Sequence, residues 1–97
     1  MATFIALANF TDQGVRNVKD SPKRAEAFKA LCAKQGVTLK SVYWTLGHYD
    51  LVVVAEAPDA AAITTVNLAV GALGNVRTET LTAFSAEEFG KILKKMP

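Results

Sequence analysis

Residue types suited to chemistry gather at two places in the chain. One is Gly47-His48-Tyr49-Asp50, which holds the single histidine. An imidazole, a phenol and a carboxylate in succession offer an acid–base group, a hydrogen-bond donor and an acceptor. The other is Arg77 and Glu79, whose spacing puts them on one face of a strand, with Thr78, Thr80 and Thr82 on the other. Charged groups on an otherwise apolar sheet have two readings. On an exposed edge they discourage pairing with another chain. On a covered face a buried arginine and carboxylate must pair or bind something. Glu56, at the end of an apolar run, is a further partner for that arginine.

Each candidate also has a plain structural reading. His48 suits a solvated hairpin tip. Asp50 suits a turn in which it bonds the backbone, and Tyr49 suits ring packing against a sheet end. Gly47 supplies a positive φ under either reading. With no second histidine and one cysteine, a structural zinc site lacks its ligands. Cys32 falls within a helical apolar stripe, which predicts a buried, inert thiol rather than a nucleophile. Trp44 precedes the joint, and strand alternation turns it away from Tyr43 and Thr45.

The elements that must position these residues follow from periodicity and punctuation. Thr3 to Phe10 is apolar on both parities and predicts a strand that needs cover on both faces. Asp12 is placed to cap a short helical turn with Val15 and Val18 facing inward. Ser21-Pro22 predicts an N-cap and first turn for a longer helix, with Ala25, Phe28, Leu31 and Cys32 as its stripe and Gly36 as its stop. Residues 37–46 and 51–57 predict two more strands joined through residues 47–50. Pro58 ends the third strand and Asp59 caps a helix with Ile63, Val66, Val70 and Leu73 on one stripe. Residues 76–83 form a fourth strand. Ser85 and Glu88 form a capping box for a short last helix bearing Phe89, Ile92, Leu93 and Met96.

The order β-α-β-β-α-β-α gives an α+β fold. It is the ferredoxin-like βαββαβ arrangement with a C-terminal helix, in one domain of residues 1–97. Both main helices then cover one sheet face. Because the strands are apolar on both sides, the other face predicts a second copy packed sheet to sheet, a dimeric α+β barrel. Composition agrees: hydrophobic residues make up 51% and charged residues 21% of a 97-residue chain with little interior in which to hide them.

Partners and location are also bounded. A net charge of +2, without a basic aromatic-lined face, disfavours nucleic acid. No apolar run reaches the roughly 18–20 residues of a membrane span. One cysteine excludes an internal disulfide and fits a reducing compartment, so a cytoplasmic location is expected.

The segment YWTLGHYD, followed by VVVAEAPD and GNVRTETLTAF, resembles the GYD-domain family, which takes its letters from a glycine, a tyrosine and an aspartate at this joint. Here these are Gly47, Tyr49 and Asp50. The likeness extends to TDQGVRNVKDSPKRAEAFKAL and so spans nearly the whole chain. It implies the dimeric α+β barrel. Related barrels include ligand-sensing domains and cofactor-independent isomerases and monooxygenases.

The leading functional expectation is a homo-oligomeric binding or accessory protein. It would use neither cofactor nor metal, and would hold a small, largely apolar ligand between sheet and helices. Trp44, Tyr49, Arg77 and Glu79 would line that site, with Arg77 meeting an acidic group. Their parities bring all four together only if the turn twists the strands. A cofactor-independent isomerase or oxygenase is the alternative, with His48, Tyr49 or Asp50 as acid–base group. A purely structural oligomerisation module, with no cavity, is the third.

Overall fold

A computed structural model describes all residues 1–97. The elements run β1 (Ala2–Phe10), α1 (Asp12–Arg16), a 3-10 turn (Val18–Asp20), α2 (Ser21–Lys34), β2 (Thr38–Trp44), β3 (Leu51–Ala57), α3 (Ala60–Ala72), β4 (Val76–Ala83) and α4 (Ala86–Lys94). The four strands form one antiparallel sheet in the order β2-β3-β1-β4, the ferredoxin-like order expected. No helix is long and apolar enough to cross a membrane.

Register assigns the faces. Phe4 pairs with Ala55 and Thr82, and Ala6 pairs with Val53 and Thr80, so these residues point to one side. That side meets the helices. Phe4, Ala55 and Ala57 pack there with Cys32 of α2, Val37, and Ile63 and Val66 of α3. The opposite side carries Ile5 and Leu7 of β1, Val52 and Val54 of β3, and Leu81 of β4, and no helix lies over it. A bulge between Leu39 and Ser41 resets β2, so that Val42 and Trp44 join the helix side and Tyr43 turns to the other.

Several local expectations shift by a residue. Thr11, not Asp12, caps α1: its Oγ1 accepts from Gly14 N at 3.1 Å. Val15 and Val18 are exposed rather than inward, at 57% and 44%, because Gly14 is the residue that α1 buries. Gly14 sits so close to the start of β4 that an added Cβ would lie 2.0 Å from Asn75 O. Ser21 lies inside α2, whose N-cap is Asp20 without a side-chain cap bond. The Ser21 hydroxyl instead accepts from Trp44 Nε1 at 2.9 Å, tying α2 to β2. Asp59 does cap α3, accepting from Ala62 N at 2.9 Å. The Ser85–Glu88 capping box of α4 is complete.

The last helix stands apart. It makes almost no contact with the other elements. The molecule is accordingly elongated, 51 × 31 × 18 Å. The α4 stripe stays open to solvent, with Phe89 52% and Leu93 51% exposed.

Candidate functional site

The joint between β2 and β3 is held by backbone and side chain together. Thr45 N donates to Asp50 O at 2.8 Å, Asp50 N donates to Ala8 O at 2.9 Å, and Thr45 Oγ1 donates to Tyr49 O at 2.6 Å. Gly47 has φ +116°, a backbone conformation that side-chain-bearing residues rarely adopt. The Asp50 side chain does not bond its own turn. Its Oδ2 accepts from Phe10 N at 2.9 Å, which satisfies a donor where β1 ends. His48 is exposed at the tip of the joint.

Tyr49 leaves this joint and reaches β4, where its hydroxyl donates to Glu79 Oε2 at 2.8 Å. Accepting that bond and carrying a negative charge beside it, Glu79 holds the Tyr49 phenol above its usual range. At neutral pH the phenol is therefore a donor, not a base. Glu79 pairs with Leu7 and Arg77 with Asn9, which puts both on the sheet face without helices. β4 is an edge strand and both residues are exposed. They do not pair with each other, and Glu56 forms its ion pair with Lys40 at 3.3 Å instead.

Of the four residues expected to line one site, three therefore share a side: Tyr49, Arg77 and Glu79. Trp44 is on the helix side, bonded to Ser21. Cys32 is fully buried in the core, and that burial pushes its thiol up, away from the reactive thiolate.

The helix side holds a pocket where one was expected, between sheet and helices, with a lining that was not. A cavity of about 170 Å³ lies between the sheet and helices α2 and α3. None of Trp44, Tyr49, Arg77 and Glu79 lines it; Arg24 does. The available signal was spacing: Arg24, Phe28 and Leu31 stand at i, i+4 and i+7, so a cation sits on the stripe that faces inward.

The architecture defines a ferredoxin-like α+β protein with one sheet face covered by helices and the other open. The chain belongs to the GYD domain family, whose model matches residues 4–93. It is 37% identical over 95 residues to the glutamine synthetase and cystathionine beta-lyase binding protein of Thermus thermophilus. That match covers 97% of this chain and 100% of the relative. A Thermus thermophilus protein known from its crystal structure has a similar fold, with a TM-score of 0.56 and 27% identity. The match takes in 89% of this chain and 96% of that one.

Proposed function

We propose that this chain is a homo-oligomeric accessory protein that assembles sheet to sheet and binds other proteins, with metabolic enzymes as the partner class. The observation that carries the assembly is the helix-free sheet face with Ile5, Leu7, Val52, Val54 and Leu81 upon it. Four strands spaced about 4.8 Å apart and roughly 25 Å long offer a plan area of roughly 500 Å². A stable interface takes about 800 Å² from each partner, so the sheet supplies most of it and the open α4 stripe adds to it. Arg77 and the Tyr49–Glu79 pair then form a polar margin at the β4 edge, where charges guide register and partner choice.

The relative named for binding glutamine synthetase and cystathionine beta-lyase supports the partner class, since its whole length aligns with this chain. The direct test mixes the pure protein with purified glutamine synthetase, and separately with purified cystathionine beta-lyase, in sedimentation velocity. Comigration with at least one enzyme at micromolar concentration is expected. Independent sedimentation of both would overturn the partner class while leaving the assembly to be judged by mass.

A further inference from the structure

The helix-covered side of the sheet is filled at one end and open at the other. Where β1 begins, Phe4 packs with Cys32, Ile63 and Val66. Farther along, β1 turns Ala6 and Ala8 to this side before Phe10, and α2 contributes Ala25 and Ala27 beside Phe28 and Leu31. Methyl groups there leave the 170 Å³ cavity, in which 13 of 18 lining residues are hydrophobic. An apolar cavity of about 150 Å³ stays dry and takes up benzene, so this one matches a single ring or a short branched chain.

One charge enters that lining. Arg24 is its sole ionisable side chain, and no carboxylate faces it from any of the elements around the cavity. Arg24 Nη1 donates to Asn17 O at 2.9 Å. Its Nη2 is buried and has no acceptor. A guanidinium N–H removed from water without a partner is costly, which makes an incoming acceptor favourable. Besides the neutral Thr78 hydroxyl, three other polar side chains line the cavity, and each is engaged. Ser21 Oγ accepts from Trp44, Asn67 Nδ2 donates to Thr80 Oγ1 at 2.6 Å, and Asn75 Oδ1 accepts from Gln13 at 3.1 Å.

We propose that this cavity binds a small monocarboxylate whose apolar body is one ring or a short alkyl chain. The carboxylate accepts from Arg24 Nη2, and the body lies against Ala8, Phe28 and Val53. One unpaired nitrogen on a single cation fits one carboxylate rather than a doubly charged phosphate. The site is on the opposite side of the sheet from the surface proposed for the second copy, so neither proposal depends on the other.

The test titrates the full-length protein with benzoate and with hexanoate, using benzyl alcohol as the uncharged counterpart of benzoate. Calorimetry gives stoichiometry. Trp44, the only tryptophan, reports by fluorescence because its N–H is bonded to Ser21 on the cavity wall. One acid per chain is expected, held more tightly than the alcohol. Arg24→Gln should weaken the acid roughly tenfold to a hundredfold and leave the alcohol unchanged, while Arg24→Lys keeps part of the preference for the anion. Ala8→Leu fills the space and should abolish binding of both compounds. Absence of saturable binding of either acid to the wild-type protein overturns the proposal. So does acid binding that Arg24→Gln and Ala8→Leu both leave intact.

Discussion

At the scale of single residues, the joint after β2 separates two jobs that its composition leaves mixed. Asp50 caps the end of β1, and Tyr49 bridges to β4. Removing the Glu79 charge while keeping its size tests the bridge. In Glu79→Gln the Tyr49 phenol should titrate lower, nearer its ordinary value, in an ultraviolet difference titration. The sign for stability follows from the raised value. The bridge contributes fully below the usual tyrosine range and is lost as pH rises through the folded-state value. Because the pair is at the surface, that loss is small. Gly47, Tyr49 and Asp50 were legible as turn residues, since their types carry local rules. Their partners were not, because Phe10 and Glu79 lie 40 and 30 residues away and local spacing says nothing of such contacts.

At the scale of elements, all four strands and the three longer helices were legible from period and capping, and the errors fall at ends. Thr11 outcompetes Asp12 as a cap, and Ser21 is drawn into α2 by Trp44 across the layer. A contact from another element decided the second case, so the cap motif misled. Gly14 marks the tightest approach between elements. Gly14→Ala should lower stability by about 2–3 kcal/mol, seen in urea unfolding, because backbone rather than a flexible side chain stands in the way. The α4 helix behaves differently, since little else holds it. Ser85→Ala should fray α4 by about 1 kcal/mol while hardly moving the main unfolding transition, a difference that hydrogen exchange resolves. Glu88 is held below the usual carboxylate range by its bonds to Ser85. The capping box is therefore intact above that range and opens as pH falls through the lowered value, so the protection factors of α4 amides, corrected for the intrinsic rate, should fall in acid.

At the scale of the whole molecule, two surfaces remain to be explained, and they were legible in the sequence to different degrees. The doubly apolar parity of β1 and β3 announces a sheet that wants cover on both sides, and the structure leaves one side without helices. The cavity on the other side was anticipated in location but not in its lining. Its space depends on how far α2 and α3 stand above Ala6 and Ala8, and that distance is set by tertiary packing rather than by the pattern of either helix. Leu7, central on the helix-free face, is the residue whose replacement best isolates the assembly. Leu7→Glu puts a charge where two sheets would meet and should yield a folded, smaller species. Sedimentation velocity of the wild-type protein at micromolar concentration tests the central claim most directly. Assembly through the open sheet face predicts a mass of at least twice the 10.4 kDa chain, and a single 10.4 kDa species would contradict it.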